Sequence, residues 1–170
     1  KLGSFEQNTA FILPNNEEKS YADLLSDVYD FEHFLKGGEL LLIVSKISYE
    51  VIFGYIAGLR KKTAVMFVDH KTNLSDVNNI IELYRPDFVF APNEWFEGHP
   101  FLTEKNCLKF GHYTLKFQAE VNKRDINPQL AVLLGTSGSL GVKKYVRLSH
   151  NNLESNTKAI IEYLRITEDD

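Results

Sequence analysis

The 170-residue chain contains one cysteine, one methionine, one tryptophan and five prolines. A single thiol, Cys107, excludes an internal disulfide and fits a reducing compartment, so a cytoplasmic location is the expectation. With no motif around it, Cys107 is expected to be a small core residue. The apolar runs fall far short of the roughly 18 residues a membrane span requires, so no span is expected. The opening residues Lys1-Leu2-Gly3-Ser4 carry neither a starting Met nor an apolar signal core. There is no basic excess: the net charge is -4, which argues against nucleic acid as the main partner. The histidines, His33, His70, His99, His112 and His150, lack metal-ligand spacing. No carboxylate pair has a spacing that suggests acid–base work. Repeats, low-complexity tracts and Pro-rich linkers are absent too.

What is present suits one domain with a real core: 44% of the residues are hydrophobic and 25% charged. Ser20 and Asp23 form a capping-box pattern opening a helix, with Tyr21, Leu24, Leu25, Val28, Phe31 and Leu35 at helical spacing and Gly37-Gly38 as its stop. Leu40-Leu41-Leu42-Ile43-Val44 is apolar on both faces, the mark of a strand covered from both sides in a parallel sheet. A helix from Ser48, with Arg60, Lys61 and Lys62 at its dipole's negative end, leads to a strand at 64–68. A helix capped by Asn73 and ended by Pro86 leads to a strand at 88–91. This order predicts two βαβ units with helices packed against a parallel sheet. One or two short strands are expected within 107–117. A strand at 130–134 and another at 145–148 then precede a last helix capped by Ser149, with Leu153, Thr157, Ile160, Ile161 and Leu164 on one face. Phe88, Phe90, Trp95, Phe96 and Phe101 read as core aromatics. The fold class is therefore α/β, a mainly parallel sheet flanked by helices.

One stretch stands apart, Gly135-Thr136-Ser137-Gly138-Ser139-Leu140-Gly141-Val142-Lys143-Lys144. From Gly135 to Leu153 there is no Asp or Glu, in a chain that is acidic overall. Glycines let a backbone turn its N–H groups inward as a concave anion site. Thr136, Ser137 and Ser139 add hydroxyls, and Lys143 and Lys144 add mobile positive charge. The loop is not a Walker A motif, because Val142 follows Gly141 and neither Ser nor Thr follows Lys144. Nor is it a nucleophile elbow, because Ser137 stands where the first Gly is required. Spacing alone leaves two readings open: an anion-binding loop, or an ordinary Gly/Ser hairpin loop with solvated lysines. His150, at the helix start beside the loop, is either a contributor to such a site or an exposed first-turn residue.

The pattern Thr136-Ser137-Gly138-Ser139-x-Gly141-x-x-Lys144-x-Val146, followed by Ser149-His150-x-Asn152-Leu153, resembles the phosphate loop of adenylate-forming enzymes. These include acyl-CoA synthetases, peptide-synthetase adenylation domains and luciferases. Tyr21-Ala22-Asp23-Leu24 and residues 39–91 are similar, more loosely, to the family's early helix and first sheet units. The resemblance implies that Thr136, Ser137, Gly138, Ser139, Gly141 and Lys144 bind ATP phosphates, with Lys144 catalytic. Lys143 joins them on its charge alone. It also implies Mg²⁺ on the phosphates, a carboxylic acid as second substrate, and a thiol of coenzyme A or a carrier protein as acceptor. The sequence departs from the family pattern at Leu140 for Thr, Lys143 for Pro and Tyr145 for Gly. Because family members are much longer, the resemblance implies that residues 1–170 form one α/β domain, the truncated N-terminal part of an AMP-binding domain. The rest of the large domain and the C-terminal lid would lie downstream, and this piece alone would be inactive. The alternative is a divergent, non-catalytic module that binds a nucleotide or a partner.

Overall fold

Ser20 shows how local chemistry starts the fold. Its Oγ accepts the Asp23 N–H at 3.1 Å, while its own N–H and hydroxyl donate to the Asp23 carboxylate at 2.8 and 2.7 Å. This capping box opens α1 (Tyr21–Glu32). In the computed structural model, which describes residues 5–98, 107–117, 125–136 and 144–167, α1 ends earlier than the apolar spacing predicts. Phe34 and Leu35 turn their N–H groups to Phe31 and Glu32, three residues back, tightening the chain out of the helix. Leu35 still reaches the core from that turn.

The Ser20 cap carries a prediction. The hydroxyl and backbone N–H of Ser20 hold the Asp23 carboxyl below its ordinary range. A depressed folded value means that the cap's contribution is present above the ordinary carboxylate pKa of about 4 and is lost as pH falls through the folded value. Ser20→Ala is expected to cost about 1 kcal/mol at neutral pH. In thermal melts the midpoint should drop by about 2–4 °C, and the drop should shrink at acid pH.

A hairpin absent from the sequence reading precedes α1: β1 (Thr9–Ile12) pairs antiparallel with β2 (Glu18–Ser20). Then come β3 (Leu40–Ser45), α2 (Tyr49–Lys61), β4 (Ala64–Asp69), α3 (Leu74–Tyr84) and β5 (Phe88–Pro92). Ser48 and Asn73 cap α2 and α3, as their positions predict. A 3-10 turn at Asn93–Gly98 leads on to β6 (Cys107–Phe110) and β7 (Tyr113–Phe117), and β8 (Leu130–Thr136), β9 (Lys144–Ser149) and α4 (His150–Leu164) complete the order.

The main sheet runs β6-β7-β5-β3-β4-β8-β9. Its centre is parallel, with β3 between β4 and β5 and with β8 beside β4. Both edges are antiparallel, β7 and β6 on one side and β9 on the other. Alternation along the strands divides the core. Leu41, Ile43, Val65 and Phe90 meet α1 and α2 on one face. Leu42, Met66, Val89 and Ala91 meet Val77 and Ile80 of α3 on the other. Phe88 and Phe90 are core residues as expected, as is Trp95; Phe101 lies outside the described residues.

One expectation is corrected. Cys107 is exposed rather than buried, because it sits on edge strand β6 with its side chain on the outer side of the alternation. The apolar stripe of α4 is present but uncovered: Ile160, Ile161 and Leu164 are 45%, 45% and 61% exposed. Among the described residues, no helix is long and apolar enough to cross a membrane.

Candidate functional site

The glycine-rich loop joins β8 to β9, and these strands form an antiparallel hairpin whose outermost pair is Thr136 with Lys144. Because β8 runs parallel to β4, the hairpin tip emerges at the carboxyl end of the parallel strands. Phe67 pairs with Leu134, so Asp69 and Thr136 end their strands at the same level. Open α/β sheets hold ligands along this edge.

Of the residues assigned to the loop, Thr136 and Lys144 are described. Ser137, Gly138, Ser139, Leu140, Gly141 and Lys143 lie outside the described residues. The Thr136 hydroxyl donates to the Lys144 carbonyl at 3.2 Å, so it ties the base of the loop together. Lys144 is exposed and, among the described residues, takes part in no ion pair, leaving its ammonium available to an anion.

Behind the loop, Tyr145 accounts for one departure from the family pattern. It pairs with Gly135, and its ring lies where a Gly135 Cβ would meet it at 3.5 Å. The ring also packs edge-on against Tyr84 at 5.3 Å. Burial first, with electrostatic coupling to Tyr84 and Asp76 adding to it, pushes the Tyr145 phenol up to about 12. A raised folded value favours the neutral phenol. Its stabilising effect is complete below the ordinary tyrosine value of about 10 and is lost as pH climbs toward 12. Tyr145→Phe is therefore expected to remove one late-ionising phenol from an ultraviolet titration and to make stability less sensitive to alkali.

Ser149 caps α4 in a second capping box: its Oγ accepts the Asn152 N–H at 3.1 Å and its N–H donates to Asn152 Oδ1 at 3.0 Å. His150 follows as the first helical residue, its backbone N–H on the Gln129 carbonyl at 3.1 Å. Its Nε2 is shielded from solvent and, among the described residues, meets no hydrogen-bond partner. The two alternatives for His150 thus narrow, since its ring nitrogen is not exposed.

Sequence reasoning missed a second concavity on the same edge. A cavity of about 670 Å³ opens where β3 and β5 end, with Lys46, Tyr49, Glu50 and His112 among its lining residues. No motif marks these positions, because they come from separate elements.

Neither the protein-family models nor the curated proteins include a match to this chain. Solved structures do match. Apo MatB from Rhodopseudomonas palustris superposes with a TM-score of 0.75 at 20% identity, over 95% of this chain and 36% of that one. O-succinylbenzoate coenzyme A synthetase (MenE) from Bacillus subtilis, in complex with ATP and magnesium ion, gives 0.68 at 15% identity, over 99% and 48%. McyG A-PCP, complexed with phenylalanyl-adenylate, gives 0.63 at 18%, over 92% and 28%. The chain thus spans from 28% to 48% of the length of these three structures. Over that span, it has the fold of the adenylate-forming ligases.

Proposed function

We propose that this chain is the ATP-phosphate-binding, N-terminal part of a larger cytoplasmic ligase that activates a carboxylic acid as its acyl adenylate. A carboxylate oxygen bonds to the α-phosphorus of ATP while the bond to pyrophosphate breaks. The sulfur of a thiol, of coenzyme A or of a carrier protein, then bonds to the acyl carbon as its bond to AMP breaks, AMP leaving and the thiol proton passing to solvent. The observation that carries this reading is the position of the hairpin: a Gly/Ser/Lys loop anchored by Thr136 and Lys144 at the carboxyl edge of a parallel sheet.

Negative charge grows on the departing pyrophosphate, and donors aimed at it stabilise the transition state. Lys144 would neutralise that charge, with Lys143 beside it. Ser137 and Ser139 would add hydroxyl donors and Gly138 and Gly141 backbone N–H groups. His150 Nε2, shielded and unpartnered among the described residues, would be a further donor at the start of α4. Mg²⁺ would accompany the nucleotide and offset the charge of its phosphates there.

The test is acid-dependent exchange of pyrophosphate into ATP. The full-length protein should catalyse it with some carboxylic acid, and residues 1–170 alone should not. Exchange by the 170-residue chain would overturn the reading of it as an incomplete site. Tyr145, which occupies a Gly position of the pattern with its bulk over Gly135, favours a second reading, a non-catalytic nucleotide- or partner-binding module. Nucleotide binding by the full-length protein without exchange for any acid would support that module instead.

A further inference from the structure

We infer that the cavity at the ends of β3 and β5 is a binding site for a small organic cation, an ammonium group carried on an aromatic or apolar body.

The topology opens this cavity. From β3 the chain leaves through α2 toward β4; from β5 it leaves in the opposite direction, toward β7. Diverging connections at neighbouring strand ends make a crevice of the kind where open α/β sheets hold ligands. The volume of about 670 Å³ falls within the roughly 300–1,000 Å³ of small-molecule pockets. Tyr49, Phe53 and Tyr113 give it an aromatic interior and are 9%, 3% and 2% exposed. Leu13 and Pro14 contribute from the β1–β2 hairpin, and Phe110 from the end of β6. The polar end of Tyr113 is already engaged: its hydroxyl accepts the Lys46 N–H and donates to the Val44 carbonyl, both at 3.3 Å. Its ring therefore offers the cavity an apolar surface.

Charge selects the class of ligand. Among the described residues, four carboxylates line the cavity, Glu17, Asp27, Glu50 and Glu94, against two ammonium groups, Lys19 and Lys46. Lys19 pairs with Glu17 at 2.8 Å and Lys46 with Glu94 at 3.8 Å. Among the described residues, Asp27 and Glu50 form no ion pair. Asp27 accepts the Tyr49 hydroxyl at 2.7 Å. Burial, with that hydrogen bond, raises the Tyr49 phenol well above its ordinary value and keeps it a donor.

Glu50 is the more telling of the two. It is only 9% exposed, and its Oε1 accepts the His112 N–H at 3.0 Å. No described residue donates to its other oxygen. That oxygen is not among the fully buried unpartnered atoms, so it opens to the cavity, where a cation can reach it beside the N-terminus of α2. The carboxylate's position is set by the β6–β7 turn, where Gly111 takes φ +55°; a Cβ there would stand 2.7 Å from Glu50 Oε1. An added ammonium would supply the missing donor and charge. The Tyr49 ring already has one ammonium near it, with Lys19 Nζ 6.0 Å from its centroid, at the outer limit of a cation–π contact.

The cavity's strands are set apart from the strand that leads into the loop. The strand order places β4 between β3 and β8, so roughly 10 Å of sheet divides them. The inference does not rest on the proposed function.

Calorimetric titration of the 170-residue chain with phenethylammonium chloride tests it, beside two probes of similar shape, neutral phenethyl alcohol and anionic 3-phenylpropionate. Saturable binding of the ammonium is expected, with the alcohol and the anion each at least about tenfold weaker. Asp27→Asn and Glu50→Gln keep size and hydrogen-bond acceptors. Each should weaken the ammonium by about fivefold to tenfold, with amide ¹H–¹⁵N spectra confirming the fold. Lys46→Gln, at the exposed rim, should strengthen it. The inference is overturned if the ammonium does not saturate, if 3-phenylpropionate binds as tightly, or if folded Asp27→Asn and Glu50→Gln chains both retain full affinity.

Discussion

Phe31→Ala is expected to cost about 3–5 kcal/mol, the largest loss of stability from any single truncation considered for this chain. Phe31 is 0% exposed and stands where α1 meets both α2 and the sheet. Its ring lies 4.7 Å from that of Phe90 on β5, 4.9 Å from Phe110 on β6 and 5.7 Å from Phe53 on α2. Removing it forfeits the transfer energy of a whole aromatic side chain, the edge-to-face contacts with Phe53 and Phe90 and the tilted contact with Phe110, and leaves a void that rings on rigid elements cannot fill. Domains of ordinary stability hold about 5–15 kcal/mol in total. Urea unfolding should therefore show a large fall in midpoint with little change in slope. Phe31→Leu, which restores most of the volume, should recover part of the loss. Leu83→Ala, at a residue 74% exposed, should change stability by no more than about 0.5 kcal/mol. A Phe31→Ala midpoint within error of that control would remove Phe31 from the centre of the core.

Lys144→Ala should slow pyrophosphate exchange by the full-length protein about 10²–10³-fold, the effect of removing one preorganised donor to a developing charge. The loss should fall on kcat more than on KM, because in the proposed role Lys144 would meet a charge that is greatest as pyrophosphate departs. The fold should be unaffected. Lys144 is exposed, and its part in the hairpin is made by its backbone, through the pairing with Thr136 and the carbonyl that accepts the Thr136 hydroxyl. Lys144→Arg, keeping the charge but changing the shape of the donor, should recover part of the rate. Lys143→Ala should cost less, since that residue was assigned on charge alone. Unchanged turnover in folded Lys144→Ala would end the catalytic role given to this lysine.

Much of the architecture was legible because its signals are local. Ser20, Ser48, Asn73 and Ser149 each bind a backbone N–H three residues ahead, so the four residues involved already specify a helix start. The apolar run in β3 announced a strand covered on both faces, and all six of its residues but Ser45 are buried. The β1–β2 hairpin carried no comparable mark, since Glu18-Lys19-Ser20 has neither alternation nor β-branched residues. Cys107 was misread for a related reason: composition makes a lone cysteine look buried, while an edge strand leaves every second side chain outside. The stripe on α4 was read correctly as a pattern, yet periodicity says only that one face is apolar and not whether anything in this chain covers it.

By itself, the sequence determined the order of helices and strands from α1 onward and their capped starts, and it marked a Gly/Ser/Lys loop between two strands, because each depends on residues within a few positions of one another. Only the tertiary structure decided which strands are neighbours, which edges run antiparallel, and that the loop stands at the carboxyl end of the sheet. It alone brought Tyr49 to Asp27 across 22 positions and Glu50 to His112 across 62. Such contacts follow from the strand order of the folded sheet, which no local pattern encodes.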